Sequence, residues 1–240
     1  MISILLSGHG RMGQCLEKLI REAPDLTLAG ILEPGDTSPL PHADAVVDFS
    51  HPDFFPRAAE YAMKNRAVLV SGTTGLTPAN HELLGELGTE IPVLWSANFS
   101  TGIAVLEKAV AEMAKTLSDF DIEILEAHHN RKEDAPSGTA KLLLEAVDPE
   151  HRHIPVYGRE GRPGPRDSKE IGIHSLRGGT VAGTHTILFL GPGETLEITH
   201  RAAGREIFAQ GALRALRALM GRPRGLYTLE SLLMGGESQK

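Results

Sequence analysis

Residues 126–140 read Glu126-Ala127-His128-His129-Asn130-Arg131-Lys132-Glu133-Asp134-Ala135-Pro136-Ser137-Gly138-Thr139-Ala140, a polar stretch between a run of strand character and one of helical character. Its first half crowds together His128, His129, Arg131 and Lys132, all cationic or protonatable. Its second half has the makings of a helix start. Asp134 or Ser137 can cap it, and the backbone N–H groups of Ser137, Gly138 and Thr139 then point out of an N-terminus that favours anions. A small dicarboxylate suits this place, one carboxylate on the helix start and the other near His129 or Lys132. A metal is disfavoured, because adjacent histidines on an extended segment point to opposite sides and no carboxylate stands at a usual ligand spacing. Taken alone, the segment is also compatible with a solvated loop and an ordinary helix cap.

A second constellation opens the chain. Gly8-His9-Gly10-Arg11-Met12-Gly13 matches the dinucleotide fingerprint and stands where that chemistry requires it, after a first aliphatic run and at the mouth of a first helix. Gly8 permits the tight turn, Gly10 lets backbone approach a pyrophosphate, and Gly13 lets helix pack on strand. The free N–H groups of the helix start then take the phosphates. Glu33 follows about 20 residues after Gly13, where an acid accepts hydrogen bonds from the adenosine ribose. That carboxylate repels a 2′-phosphate and Pro34 brings no cation to offset it, which leans towards NADH. Arg11 can reach either phosphate group, so NADPH stays open.

Three further polar turns stand at the ends of aliphatic runs: Asp48-Phe49-Ser50-His51-Pro52, Ser71-Gly72-Thr73-Thr74-Gly75 and Ser96-Ala97-Asn98-Phe99-Ser100. Ligands of open α/β sheets bind outside the carboxyl ends of the strands, so Gly72, Thr73, Thr74, Ser96, Ala97, Asn98 and Phe99 should line the nicotinamide half. The Gly72–Gly75 turn also reads as a helix-capping loop, which is compatible with that role.

Positioning these turns calls for alternating aliphatic strands and helices. Strands are predicted at 2–7, 26–32, 45–49, 67–71 and 92–95, with helices opening after Gly10, Pro52 and Pro78. The Pro34–His42 segment is read as a loop. Such alternation predicts a mainly parallel sheet covered on both faces, a Rossmann-type dinucleotide-binding domain. After Trp95 the rhythm changes to a long helix at 103–117, a strand at 121–127, and strands at 172–177, 181–190 and 196–201 read as antiparallel. This predicts a central α+β substrate and oligomerisation domain with a mixed, largely antiparallel sheet. The expected boundaries are 1–100, with 209–240 returning to it, and 101–208, with hinges near Ser100-Thr101 and residue 208. Arg159, Arg162, Arg166 and Lys169 lie among glycines and prolines in what reads as a mobile basic loop.

Composition bounds the rest. A chain of 240 residues, 41% hydrophobic, supports a substantial core, and a formal net charge of -7 argues against general nucleic-acid or anionic-membrane binding. Any anion must therefore be held by a local device. The single cysteine, Cys15, excludes an intrachain disulfide framework. No basic leader and no apolar run of roughly 18 residues is present, so a soluble, cytoplasmic protein is expected.

The glycine turn, Gly72-Thr73-Thr74-Gly75, Ser96-Ala97-Asn98-Phe99-Ser100 and, above all, the Glu126–Ala140 stretch resemble the dihydrodipicolinate reductase (4-hydroxy-tetrahydrodipicolinate reductase) family. The resemblance runs from the first strand to Gly225-Leu226-Tyr227. It implies NAD(P)H-dependent reduction of a cyclic hydroxy-imine dicarboxylate to tetrahydrodipicolinate with loss of water, in lysine and diaminopimelate biosynthesis, by a homotetramer. It further implies His128 as proton donor and acceptor and Lys132 as proton donor. His129, Ser137, Gly138 and Thr139 would hold the substrate, and Gly8–Gly13, Glu33, Gly72–Thr74 and Ser96–Phe99 the cofactor. Where some relatives have arginine after the ribose acid this chain has Pro34, and its 34–44 connection is short. A different dehydrogenase and a nucleotide-sensing module are the rival readings; a sensor has no use for His128 and Lys132.

Overall fold

The computed structural model describes residues 1–35 and 39–234, so the predicted Pro34–His42 loop and the end of the returning segment lie partly outside the described residues. Contacts divide the chain into two compact units, one of Met1–Thr101 with the segment that starts at Arg205, the other of Gly102–Gly204.

The first unit is a parallel sheet. Strands β1 (Ile2–Ser7), β2 (Leu26–Leu32), β3 (Ala45–Asp48), β4 (Val68–Ser71), β5 (Pro92–Trp95) and β11 (Gly225–Tyr227) run in the order β11-β5-β4-β3-β1-β2. Every described pairing in it is parallel. Strands buried on both faces need continuous apolar runs, and β3 (Ala-Val-Val-Asp) and β4 (Val-Leu-Val-Ser) are buried throughout. Helices α1 (Arg11–Glu22), α2 (Phe55–Asn65) and α3 (Pro78–Glu90) form the crossovers, α3 starting at a Thr77 cap with Pro78 at its first position. The returning helix α6 (Glu206–Leu219) packs against α1 and β4, and its Gly211 sits where a Cβ would lie 1.8 Å from the Phe99 carbonyl oxygen. The whole of α6 thus joins the first unit. A short helix, α7 (Leu229–Met234), ends the described chain.

The second unit is a five-stranded mixed sheet in the order β10-β9-β6-β8-β7, built from β6 (Asp121–His128), β7 (Ile154–Val156), β8 (Glu170–Arg177), β9 (Thr184–Gly191) and β10 (Glu194–Arg201). Strand β6 pairs antiparallel with β9, and β9 with β10. Strand β8, read from sequence as antiparallel, instead runs parallel to both β6 and β7. The reason is the connections: helix α5 (Gly138–Val147) takes the chain from the end of β6 to the start of β7, and the 157–169 segment takes it from the end of β7 to the start of β8, so each strand is entered in the same direction, as parallel crossovers require. Helices α4 (Thr101–Thr116) and α5 cover one face, packing Leu106, Val110, Leu143 and Val147 on Ile122, Ile124, Ile173, Ile187 and Phe189. Each such aliphatic side chain contributes about 1.5–3 kcal/mol when fully buried.

The basic loop departs from expectation. Arg159 bonds Glu123 and Glu170, and Arg166 bonds Glu123, Asp121 and the backbone carbonyls of Ile122 and Glu170. Two of its cations are therefore latched to the sheet rather than free to sweep. Among the described residues no helix is long and apolar enough to cross a membrane.

Candidate active site

In the first unit, the turn after β1 is set by backbone. Gly8 has φ +86°, a left-handed conformation in which a Cβ would lie 2.7 Å from the Ser50 Cα. At Gly13 a Cβ would lie 2.2 Å from the Gly8 carbonyl oxygen, so only glycine lets α1 press on the turn. Gly10 is the N-cap of α1; it has nothing within 4 Å of a built Cβ, and the first turn contains no acidic residue. The first amides of a helix lack intrahelical partners and here that turn offers no carboxylate and no side-chain cap to take them, which is what an incoming phosphate needs. Arg11 is exposed and Met12 half-buried, while His9 is tied back by a 2.6 Å hydrogen bond between its Nε2 and Glu17 Oε2. Glu33 is exposed directly after β2, and the Gly8 N–H donates to the Leu32 carbonyl, which sets the acid beside the turn.

The adjoining strand ends are knotted together by Asp48. Its buried carboxylate accepts from Ser7 Oγ (2.8 Å), Ser50 Oγ (2.6 Å), Ser71 Oγ (2.8 Å) and Thr73 Oγ1 (2.7 Å), so β1, β3 and β4 end on one acceptor. Gly72 lies against the Phe49 ring, Thr74 is exposed, and Trp95 Nε1 donates to the Thr73 carbonyl. In the turn after β5, Ser96 Oγ donates to the Asn98 carbonyl and Asn98 Oδ1 accepts from the Ser100 N–H. Ala97 is exposed, whereas Phe99 is buried with its ring 5.5 Å from that of Phe49. Sequence reasoning did not single out Asp48 as a site-building residue, although four hydroxyl residues near strand ends were a usable signal.

In the second unit everything turns on Glu126. On β6 it shares a face with His128 because side chains two apart point the same way. Its side chain is fully buried; Oε1 accepts from Arg177 Nη2 (2.7 Å) and the Ser137 N–H (3.1 Å), and Oε2 from Arg177 Nη1 (2.8 Å) and pairs with His128 Nδ1 (2.6 Å). Burial pushes this carboxyl up, but the Arg177 guanidinium, Ser175, His128 and the Ser137 amide outweigh it and hold it at about 2. Beside it, His185 on β9 meets the His128 ring edge-on with centroids 5.2 Å apart. Burial, then the charge of His128, lower His185 to about 4, so it is neutral at pH 7.

The predicted substrate residues divide. Ser137, not Asp134, caps α5: its Oγ accepts from the Ala140 N–H at 3.1 Å and lies 3.0 Å from His185 Nε2. Its own N–H goes to Glu126, so the expectation that the Ser137 amide faces outward is corrected; the buried Glu126 carboxylate takes it. Gly138 is exposed with open space where a Cβ would be, and Thr139 is half-buried behind it. Asp134 instead accepts from Lys132 Nζ at 2.7 Å, and Lys132 in turn lowers His185 by its charge. His129 is half-buried, and its carbonyl accepts from the Lys132 N–H at 3.1 Å. Among the described residues no group of three or more His, Cys, Asp or Glu could hold a metal ion.

A parallel sheet with a glycine turn after its first strand, followed by a unit with a mixed sheet, is the architecture of the dinucleotide-fold dehydrogenases and reductases. A solved Corynebacterium glutamicum DAP dehydrogenase in complex with DAP shares the fold (TM-score 0.56, 14% identity, 95% of this chain and 93% of that one). So does a dipicolinate-bound dihydrodipicolinate reductase from Paenisporosarcina sp. (TM-score 0.76, 24% identity, 95% and 97%). Within that class the chain belongs to the dihydrodipicolinate reductase family, whose N-terminus model matches residues 2–99 and C-terminus model residues 102–233. It is 42% identical to the 4-hydroxy-tetrahydrodipicolinate reductase of Caldanaerobacter subterraneus subsp. tengcongensis, covering 98% of this chain and all (100%) of the relative. Identity to that of Akkermansia muciniphila is also 42%, covering 97% and 98%.

Proposed function

We propose that this chain reduces 4-hydroxy-tetrahydrodipicolinate to tetrahydrodipicolinate and water with NADH or NADPH, in lysine and diaminopimelate biosynthesis. The observation that carries this is His128, clamped by buried Glu126 next to the exposed start of α5, in a chain of this family. Substrate, reduced nucleotide and one proton become product, oxidised nucleotide and water. When bound, the reduced nicotinamide supplies a hydride to C4 of the ring once the hydroxyl has left.

The first unit is assigned to the nucleotide and the second to the substrate. The open amides at Gly10 and the turn from Gly8 to Gly13 fit a pyrophosphate, with Glu33 on the ribose and Gly72–Thr74 and Ser96–Phe99 around the nicotinamide half. A carboxylate at Glu33 followed by Pro34 favours NADH. His128 gives and takes a proton, and Lys132, held by Asp134, donates one. The Gly138 and Thr139 amides take one substrate carboxylate and His129 the other, while Ser137, whose own amide is taken by Glu126, serves the substrate by capping the helix start. A cytoplasmic homotetramer is the expected state: within the second unit neither helix lies on the face that carries Leu125, Leu176 and Leu188, and Leu176 is 52% exposed.

The test supplies purified protein with the hydroxy-imine and follows loss of reduced-nicotinamide absorbance, with NADH and NADPH in parallel. Turnover with both, faster with NADH, is expected. Nucleotide binding without consumption of either would return the sensing alternative, and sedimentation of the same sample reads the oligomer.

A further inference from the structure

We propose that Glu126 is a positioning residue that fixes which ring nitrogen of His128 exchanges protons, and that Arg177 is the counter-charge that lets it do so. The proposal rests on the assignment of His128 as the acid and base. An ionised carboxylate only accepts hydrogen bonds, so the imidazole nitrogen 2.6 Å from Glu126 Oε2, Nδ1, must carry the hydrogen. The neutral ring then keeps its lone pair on Nε2. That side is open because residue 183 is glycine: a Cβ there would sit 3.2 Å from Nε2.

Glu126 can do this only if it stays charged and still. Both follow from Arg177, whose fork spans both carboxylate oxygens and continues to the Asp134 carbonyl at 2.8 Å, while the Ser137 amide fills a further lone pair. Alone, a buried carboxylate would hold the imidazolium as a fixed ion pair; neutralised by Arg177, it orients the ring without trapping the proton. The other group facing the ring is His185 on β9, on which the charges of His200 on β10 and Lys132 in the loop, paired with Asp134, also act. Buried His185 stays neutral, so it does not compete for the proton.

The role is separable from simple cross-linking of β6, β8 and α5. Neutralising Glu126 (Glu126→Gln) removes negative charge from beside His128, whereas Arg177→Gln unmasks it. The ring's titration midpoint should therefore move down in the first variant and up in the second, with Arg177→Lys staying near the parent. A merely structural part would not give opposite signs. The acid limb of the pH–rate profile should follow, with kcat for Glu126→Gln down by about tenfold or more and KM changed less than about threefold.

Nitrogen-15 correlation spectra of the histidine rings, with His128 assigned by its absence in His128→Gln, decide the matter. The intact protein alone should show neutral His128 protonated at Nδ1, and Glu126→Gln a loss of that preference. An Nε2-protonated ring in the intact protein, or midpoints that move the same way or not at all, overturns the proposal. Because the first reading needs no variant of Glu126 or Arg177, misfolding of either leaves the test standing. Full turnover in His128→Gln would instead sink the acid–base assignment, a distinct outcome from either spectral result.

Discussion

Glu123 and Glu126 lie on the same strand, both buried, each gathering arginine and histidine, yet they face opposite sides of the sheet. Glu123 takes Arg159, Arg166 and His174; Glu126 takes Arg177, His128 and the Ser137 amide. Both carboxyls lie below the ordinary 4.5, burial opposing and the bound cations outweighing it. A cluster of titratable side chains therefore does not identify a site by itself. The difference is in what is left over. His174 meets its glutamate through Nε2, on a face where two loop arginines close the cluster, while His128 uses Nδ1 and keeps Nε2 on the side where Gly183 leaves room. One cluster fastens a loop; the other, under the proposed function, presents a group to the substrate.

The sharpest way to break this contrast is kinetic. His128→Ala or Lys132→Ala should cut turnover by about two orders of magnitude or more while nucleotide affinity, read by fluorescence titration, stays within about threefold. His174→Ala, the counterpart on the other face, should leave turnover within about twofold. Equal losses at His128 and His174 would erase the distinction.

Stability ranks next. Glu126→Ala strands the Arg177 guanidinium and should cost about 3–5 kcal/mol in chemical unfolding, the usual loss when one partner of a buried pair is removed. Glu123→Ala should cost less, because the Arg159 and His174 side chains are 28% and 32% exposed and water can take over.

Acid sharpens the same ranking. A carboxyl whose folded value lies below its unfolded one binds fewer protons when native, so its contribution is complete above about 4.5 and is lost as pH falls through about 2. His185, lowered from 6.5 to about 4, acts in the same direction over that higher window, since unfolding lets it charge. Unfolding free energy measured from pH 7 to pH 2 should fall through both windows, and Glu126→Gln should flatten the lower one more than Glu123→Gln. An unchanged slope in Glu126→Gln would show that the clamp does not form in solution.

Much of the first unit was legible in the sequence because its signals are local: a glycine turn between an aliphatic run and a helix specifies its own geometry, and apolar runs such as Val68-Leu69-Val70 specify buried strands. The direction of β8 was not, because it is set by where α5 and then the 157–169 connection deliver the chain rather than by the Gly172–Arg177 pattern. The role of Glu126 was half visible. Its i, i+2 spacing from His128 places both on one face, but the partner that makes it a clamp, Arg177, is 51 positions away. Ser137 was misread for the same reason: a capping residue was evident, but not that a distant strand's carboxylate would claim its amide.

The smallest effect concerns the loop that Glu123 holds. Its glycines, prolines and arginines suggested mobility, and composition alone gave no reason to expect otherwise. Two arginines and His174 converge on one carboxylate with 11% side-chain exposure, and Arg166 adds a 2.6 Å bond to Asp121. Glu123→Gln keeps the shape but weakens these charge-assisted bonds, so Arg159 and Arg166 should release more often. Limited trypsin digestion should then cleave after Arg159 or Arg166 several-fold faster than in the parent, with steady-state turnover within about twofold. Faster cleavage accompanied by a large loss of turnover would mean that the latched loop also serves the reaction, and the two faces of β6 would no longer divide the labour between fastening and chemistry.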